Sequence, residues 1–387
     1  MTLRYVDSYG YLPADSSGTD ATNLKLDQTG NFVIPGAETT GFAQVATDGA
    51  FGDNCLSYDG GAAQALLQNN VVEVVRPMPV DITTGFMGRR FFVGSENSDI
   101  SSWPFLSLYD LATYTRILTI TFEPFGTVGV YRGRSSAVPD GGGGFVFPMG
   151  TLLGKSRPGC WSPDVWFYVE VGFTIDPTNG AVEVRINTDP VVNLIHQNTQ
   201  ATGATGAYAN GHGWGAENFA TFATAQLYSF KVGDMYLADG AGSVNNNFLG
   251  NVRARLMMPA GAGASTDFAK TGAATNWQAA SNLSLTDSSY VSSDTVNDED
   301  LYTLNPILPA QPVHGVQVRS ALRMDEATQR VGRNLFRVST TTVEGADHYV
   351  DSSYHHETDV FELDPSTGLG LTGTIVNGAQ AGIKVQA

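Results

Sequence analysis

The sequence predicts an all-β protein: a jelly-roll β-sandwich with an extended N-terminal arm, followed by a smaller β-rich C-terminal domain. Short stretches of alternating apolar and polar residues recur along most of the chain, and Gly, Pro, Asn and Asp separate them. Apolar spacing of 3.6 residues, typical of helices, is nearly absent. Because each strand has one apolar face, two facing sheets are the simplest way to bury them.

The clearest element is a β-hairpin over residues 161–194. Period-2 alternation runs down two strands that are joined by an Asp-Pro-Thr-Asn-Gly turn. The polar residues Glu183, Arg185 and Asn187 point away from the apolar face. We therefore predict one buried and one solvated side, with the buried side formed by Val165, Phe167, Val169, Val171, Phe173, Ile175, Val182, Val184 and Ile186.

The remaining patterns divide the chain into three parts. Residues 1–50 are rich in Gly, Asp and Thr and predict an arm that docks on another subunit or on its own body. Residues 51–238 carry the sandwich strands. Residues 239–387 predict the C-terminal domain, with strands near 251–256, 313–322, 332–338 and 358–363 and a short helix near 325–330.

Composition excludes several classes of protein. The chain has 42% hydrophobic and 10% aromatic residues, enough for packed cores, so wholesale disorder is excluded. Its formal net charge of −17 and the lack of a basic stripe make nucleic acid an unsuitable partner. We find neither a signal peptide nor an apolar run long enough for membrane insertion. Cys55 and Cys160 are expected to stay reduced as small buried residues, rather than pair.

Two sets of segments carry a family resemblance. The opening FGDNCLSYDGGAAQALL, the hairpin and the closing AQLYSFKVGDMYLADG resemble the concanavalin A-like lectin/glucanase (LamG-like) jelly roll over about half the chain. The run from Asp234 to Gly263, then Trp277 and the acidic 294–302 segment, resembles a domain pair of tailed-bacteriophage structural proteins.

The second resemblance implies a virion structural protein, a tail-associated or head-attached fibre or spike component that is made in the host cytoplasm. It implies a homo-oligomer, with a trimer as the expected form, that contacts other virion proteins and a host-surface glycan. The alternatives are a carbohydrate-active enzyme of the glucanase clan and a stand-alone lectin.

Glycan binding needs aromatic platforms beside planar polar groups. The segment 197–219 holds several such residues between Gly and Ala, and Trp103 lies in a second aromatic stretch. Alternatively, these aromatic rings close the end of the sandwich. The candidate glycan-binding residues are Trp103, Tyr208, His212 and Trp214.

Calcium is the candidate ion, because oxygen ligands suit this acidic chain and LamG-like domains often carry calcium at a sheet edge. The candidate ligands are Asp234, Asp239 and Asn246, and a second acidic cluster lies at 298–300. Neither has the spacing of an EF-hand loop. A solvated acidic turn is the favoured explanation of both, with calcium as the alternative, so no cofactor is certain.

Glucanases of the resembled clan use Glu-x-Asp-x-x-Glu on one strand to place a nucleophile and an acid at the glycosidic bond. We compared Glu123 and Glu183, and neither has such partners. The chain also lacks a Gly-x-Ser-x-Gly elbow. We therefore predict no catalytic residues and expect that the chain is not an enzyme.

Overall fold

A computed structural model gives the architecture. It describes residues 3–7, 32–35, 43–46, 49–51, 55–59, 71–95, 103–134, 138–139, 145–146, 149–217, 229–282, 287–309, 311–325 and 329–386. The chain forms two compact units, Arg4–Ala254 and Arg255–Ala387. The division therefore lies 16 residues after the predicted boundary at 238.

The first unit is built from strands. In chain order they are β1 (Leu3–Asp7), β2 (Phe32–Pro35), β3 (Ala43–Ala46), β4 (Cys55–Asp59), β5 (Val71–Ile82), β6 (Thr84–Val93), β7 (Trp103–Asp110), β8 (Thr115–Glu123), β9 (Thr127–Arg134), β10 (Val138–Pro139), β11 (Phe145–Val146), β12 (Met149–Lys155), β13 (Trp166–Thr174), β14 (Gly180–Ile186), β15 (Asp189–Gln197), β16 (Ala209–Glu217) and β17 (Ser229–Ala238). A short 3₁₀ turn, Pro124–Gly126, joins β8 to β9.

Two antiparallel sheets form the sandwich, which confirms the predicted fold class. The eight-stranded sheet has the order β15-β14-β13-β6-β17-β4-β3, with β1 paired to β17. The seven-stranded sheet has the order β12-β9-β8-β7-β16-β5-β2. The three strands from the predicted arm therefore pair within the first unit, and they add β1 and β3 to one sheet and β2 to the other.

The core lies between the inner faces of the two sheets, where the alternating apolar residues meet. Phe91 on β6 is its centre, because it packs against aromatic rings from both sheets. Its ring centroid lies 5.0 Å from Phe105 and 5.5 Å from Phe122 of the seven-stranded sheet. On its own sheet it lies 5.6 Å from Phe230 and 6.4 Å from Phe167.

The outer face of the eight-stranded sheet is covered by residues 248–254, here called the strap. Arg90 and Asp234 are both buried there and form an ion pair with an Nε–Oδ2 distance of 2.8 Å. The same guanidinium donates hydrogen bonds to Asn251 Oδ1 at 2.6 Å and to the Val252 carbonyl at 3.1 Å. These contacts fix the strap to the sheet.

A second anchor of the strap is the buried carboxylate of Glu170. It accepts hydrogen bonds from the Tyr236 hydroxyl at 2.6 Å and from the Gly250 backbone N–H at 2.8 Å. The Leu249 N–H donates to the same hydroxyl at 3.2 Å. The strap satisfies these groups as an irregular segment, so the strand predicted at 251–256 is wrong.

The second unit contains twelve strands and two short helices among its described residues. They are β18 (Pro259–Thr266), β19 (Ala269–Thr271), α1 (Asn276–Ala280), β20 (Tyr290–Ser292), β21 (Glu299–Leu304), β22 (Pro312–Val313), β23 (Val316–Leu322), β24 (Arg330–Val338), β25 (Thr341–Glu344), β26 (His348–Val350), β27 (His355–Phe361), β28 (Leu371–Thr372), α2 (Gly373–Asn377) and β29 (Gln380–Val385).

The main sheet of this unit has the order β18-β21-β29-β24-β25, with β26 also paired to β24. Strand β23 pairs with β27 in a separate ribbon that packs on the sheet, and the Phe336 and Phe361 rings stack 5.4 Å apart between them. The three predicted strands after residue 313 are present. The helix predicted near 325–330 falls partly outside the described residues, and β24 already begins at Arg330.

Neither short helix in the described part of the chain has the length and apolarity that a membrane span needs. Cys55 is buried and Cys160 is half-buried, and both are free thiols.

Candidate functional site

A row of polar side chains lies on the outer face of the seven-stranded sheet, opposite the core. The register pairs Ser107 with Thr119 and Thr119 with Tyr131 across β7, β8 and β9. One step along the sheet it pairs Thr121 with Gly129, and Gly129 with Lys155 of β12. Because alternate residues share a face, these side chains lie together. We call Ser107, Thr119, Thr121, Glu123, Tyr131 and Lys155 the outer polar face.

Glu123 is the centre of the outer polar face. Its Oε1 accepts hydrogen bonds from the Tyr131 hydroxyl at 2.6 Å and from the Thr121 hydroxyl at 3.2 Å. Its Oε2 lies 2.5 Å from Lys155 Nζ. Gly129 makes room for this cluster, since a Cβ there would collide with the carboxylate of Glu123. The cluster is therefore a connected Tyr–Glu–Lys network.

The network fixes the protonation of its members. Burial and the hydrogen bond to Glu123 raise the pKa of the Tyr131 phenol, which therefore stays protonated at neutral pH. The hydrogen bond to Glu123 raises the pKa of Lys155 and keeps its ammonium charged. The face thus offers a phenol donor, an ammonium and a carboxylate acceptor within one cluster.

Thr119 has a hydroxyl with no hydrogen-bond partner, although the residue is only 2% exposed. An unsatisfied buried hydroxyl costs about 1–3 kcal/mol. Among the residues that the structure describes, such groups are rare, and this buried hydroxyl is available to a ligand.

Two exposed aromatic residues stand in the turns at the two ends of β8. Tyr114, before the strand, is 73% exposed and has φ 52°, and Phe125, after it, is 86% exposed and has φ 62°. Left-handed backbone at a bulky aromatic residue is strained and costs on the order of 1–3 kcal/mol. Strained, exposed rings are typical of recognition sites, and these two flank the outer polar face along its length.

The residues predicted to bind glycan do not form a surface platform. His212 and Trp214 lie on β16, inside the sandwich, and are 0% and 1% exposed. Tyr208 is half-buried and its hydroxyl lies 2.7 Å from that of Thr205. Trp103 begins β7, and its side chain lies outside the described residues. The segment 197–219 was expected to be a loop, but its residues 209–217 form strand β16, in which Gly211 and Gly213 alternate with His212 and Trp214.

Both carboxylates among the predicted calcium ligands already bind arginine side chains. Asp234 pairs with Arg90, and Asp239 accepts a hydrogen bond from Arg4 Nε at 2.6 Å. The amide of Asn246 is exposed and donates to the Gly242 carbonyl. An arginine on each carboxylate competes with a cation, and the described residues contain no group of three His, Cys, Asp or Glu side chains that could hold a metal. We therefore do not retain the calcium site.

The glucanase spacing does occur in the chain, at Glu357, Asp359 and Glu362, so the prediction that the chain lacks it is wrong. A search for the pattern over the whole chain would have found it. In the structure, Glu357 and Asp359 lie on one face of β27, and the pairing of β27 with β23 shows no bulge. Glu362 lies one residue beyond the end of β27, so no bulge in the described pairing brings it beside the other two carboxylates. The three carboxylates do not meet as such a mechanism requires.

Glu357 and Asp359 instead hold His348. The imidazole Nδ1 lies 2.9 Å from Glu357 Oε2, and Nε2 lies 2.6 Å from Asp359 Oδ2. Asp359 also accepts hydrogen bonds from the Asn334 amide and the Ala346 N–H, both at 2.9 Å. The hydrogen bonds to the two carboxylates raise the pKa of His348 to about 9.

This cluster predicts a pH effect on the second unit. Because the folded pKa of His348 exceeds its unfolded value of about 6.5, its stabilisation is complete below about pH 6.5 and is lost as pH rises through about 9. We expect His348→Gln to lower the free energy of unfolding by about 2 kcal/mol at pH 6 and by far less at pH 10. Urea denaturation at both pH values measures this, with the exposed His355→Gln as control. An equal loss at both pH values would contradict the assignment.

Comparison with known proteins adds information on the fold. No family model and no curated protein matches the chain. Among solved structures, the alginate lyase Aly36B is 10% identical over 60% of this chain and 95% of that chain, with a TM-score of 0.37. The cellulose-induced protein Cip1 is 12% identical over 61% and 97%, with a TM-score of 0.36. The alginate lyase vAL-1 from Chlorella virus is 11% identical over 58% and 99%, with a TM-score of 0.38.

These similarities are to β-sandwich proteins and concern the fold alone. They nevertheless contradict the prediction that the chain is not an enzyme, because several of the similar structures are alginate lyases. That prediction depended on the absence of known catalytic motifs, which is weak support, since one fold hosts many chemistries. We withdraw it, and no residue role is transferred from these structures.

Proposed function

We propose that this chain is a carbohydrate-active protein whose first unit binds a glycan at the accessible edge of the outer polar face, where Lys155 is exposed and the Tyr114 and Phe125 rings stand at the ends of β8. The observation that carries the proposal is the Tyr131–Glu123–Lys155 network beside a buried hydroxyl without a partner. Sugar hydroxyls both donate and accept hydrogen bonds, so they complement a face that offers both.

The aromatic residues support the same function. Sugar rings present apolar C–H faces that stack on exposed aromatic rings, and Phe125 and Tyr114 provide such rings at the two ends of β8. The nine residues of that strand span about 30 Å. A glycan that reaches both rings must therefore be an oligomer of several sugars, rather than a monosaccharide.

The network also supplies groups for chemistry on a bound sugar. Lys155 is partly exposed, with 42% of its side chain accessible, and Arg157 next to it is also exposed. Two cations at the edge of this acidic protein would attract anionic sugars locally. Tyr131 can donate a proton and Glu123 can receive one, which is the minimum set for general acid–base work.

The experiment is a binding and cleavage screen with the purified chain. Neutral and acidic polysaccharides are tested by affinity electrophoresis for retardation and by a reducing-end assay for cleavage. We expect retardation by at least one polysaccharide, and new reducing ends if the network is catalytic. Binding that survives unchanged in both Glu123→Gln and Phe125→Ala would place the glycan elsewhere and overturn the proposal.

Thr119→Val gives the sharpest prediction for this face. Valine has nearly the same shape but no hydroxyl, so the variant relieves an unsatisfied group and should raise the melting temperature. It should also weaken glycan binding about fivefold, the equivalent of about 1 kcal/mol. Differential scanning fluorimetry and titration calorimetry measure the two effects.

The matched control is Thr121→Val, because the Thr121 hydroxyl is already bonded to Glu123 and to the Gly129 carbonyl. That variant should lower the melting temperature. Equal stability changes in the two variants, or unaltered affinity of Thr119→Val, would show that the Thr119 hydroxyl has no role in binding.

A virion structural role is the second candidate, and it depends on the phage-like sequence pattern after residue 234 and on the tandem β units. In that case the chain is a homo-oligomer, for example a trimer, which assembles with other virion proteins and uses the glycan face for host attachment. Native mass spectrometry tests this role. A trimer would support it, whereas a monomer that cleaves polysaccharide would support only the enzymatic function.

A further inference from the structure

His212 occupies an unusual position inside the first unit. It lies on β16, and the sheet register places it directly opposite Arg76 of β5 on one side and Leu108 of β7 on the other. The imidazole is fully buried, and neither ring nitrogen has a hydrogen-bond partner. A polar ring in this state is stable only while it carries no charge, because burial strongly disfavours an unpaired ion.

Two arginines act on this ring from both sheets. Arg76 faces it across the β5–β16 ladder, where like charges directly opposite each other destabilise a sheet. Arg89 comes from β6 of the facing sheet, and its guanidinium lies 4.0 Å above the Trp214 ring. Trp214 in turn stacks on His212 with a centroid distance of 4.9 Å.

The N-terminal strand β1 completes the surroundings. The Arg76 guanidinium lies 3.7 Å above the ring of Tyr5, and the Tyr5 hydroxyl donates to the carboxylate of Asp7. Tyr5 and Asp7 are both buried, with exposed fractions of 2% and 5%. In the part of the chain that the structure describes, Asp7 is therefore the acidic group that belongs to this cluster.

Burial and the two arginines together hold the pKa of His212 well below its usual range. The ring is neutral at neutral pH. Adding a proton would place a third positive charge among Arg76 and Arg89, between sheets that are held together by packing around this point. The folded state resists that proton and the unfolded state accepts it.

We propose that His212 makes the sandwich acid-sensitive: its protonation drives β5 and β16 of the seven-stranded sheet apart from β1 and β6 of the facing sheet. The first unit is thereby stable at neutral pH and opens at this point in mild acid. The opening would release β1 first, because that strand is held in the cluster by Tyr5 above Arg76.

Hydrogen exchange followed by mass spectrometry on the full chain tests the proposal. Peptides that cover β1, β5 and β16 are compared at pH 7.5 and pH 5.0, after correction for the intrinsic exchange rate. Burial holds the folded pKa of His212 well below the unfolded value of about 6.5, so the opening equilibrium should rise as pH falls below about 6.5, by up to about 30-fold at pH 5.0. His212→Phe keeps an aromatic ring on Trp214 but cannot be protonated, and it should abolish this increase.

The exposed His196→Phe is the matched control and should behave as the parent does. Arg76→Gln is a second test if His212→Phe fails to fold, because removing the opposed charge should make the increase at pH 5.0 smaller than in the parent. The proposal is overturned if the parent shows no increase in these peptides, or if His212→Phe and Arg76→Gln both open in acid as much as the parent does.

Discussion

Phe91→Ala is expected to lower the free energy of unfolding of the first unit by about 3–5 kcal/mol. The ring is 1% exposed and lies within 6.4 Å of four other phenylalanine rings, two from each sheet. Truncation removes the contacts that join the sheets and leaves a cavity that the rigid β-framework cannot close. Urea denaturation followed by tryptophan fluorescence measures the loss.

The neighbouring Phe92→Ala is the matched control for Phe91→Ala. Phe92 points to the opposite face of β6, is only half-buried, and packs on Trp166 at a centroid distance of 5.7 Å. We expect it to cost less than half as much as Phe91→Ala. Similar losses for the two variants would mean that the core does not lie between the two sheets as described.

Arg90→Met is expected to lower the free energy of unfolding of the first unit by about 3–5 kcal/mol. Removing the guanidinium takes its 2.8 Å ion pair away from the buried Asp234 carboxylate, and it also removes the donor to Asn251 and Val252. The strap should then detach locally. Hydrogen exchange of residues 248–254, together with urea denaturation, measures both effects.

Two further variants separate the two causes of the stability loss expected for Arg90→Met. The double variant Arg90→Met with Asp234→Leu should recover part of the stability, because the buried carboxylate is then removed as well. Glu183→Gln removes a half-exposed ion pair with Arg185 but keeps the Arg185 guanidinium over the Phe248 ring, so it should cost no more than about 1 kcal/mol. If the double variant is no more stable than Arg90→Met, the buried carboxylate is not the source of the loss.

The hairpin shows how far local patterns predict this fold. Strands β13 and β14 pair with Val169 opposite Ile186 and Phe173 opposite Val182, as the alternation predicted. Val165 departs from the prediction, since it lies before the strand and is 52% exposed. The predicted solvated side is also wrong for β13, because Tyr168 and Glu170 on its outer side are each 1% exposed. The turn is held by Asp176, whose carboxylate accepts hydrogen bonds from the Thr178 and Asn179 N–H groups at 2.7 and 2.6 Å.

The candidate site could not be predicted in the same way. Alternation assigns Thr119, Thr121 and Glu123 to the outer face of β8, where a strand normally meets water, but these residues are buried. Their burial and their partners Tyr131 and Lys155 depend on neighbours that are distant in sequence. For His212 and Trp214, residue chemistry indicated a surface function, whereas the Gly-x-Gly-x-Gly alternation around them was the better guide to an inward-facing strand.

The strap also determines where a recombinant fragment of the first unit should end, because the unit includes residues 248–254. Ending a recombinant fragment at Ala238, where the strand pattern stops, would strip the hydrogen-bond donors Leu249 and Gly250 from Tyr236 and Glu170. The outer face of β6, β13 and β17 would then be exposed to solvent, and the Glu170 carboxylate would lose its backbone donor in the strap. The sixteen residues 239–254, which show no strand pattern, thus belong to the first unit as much as its strands do.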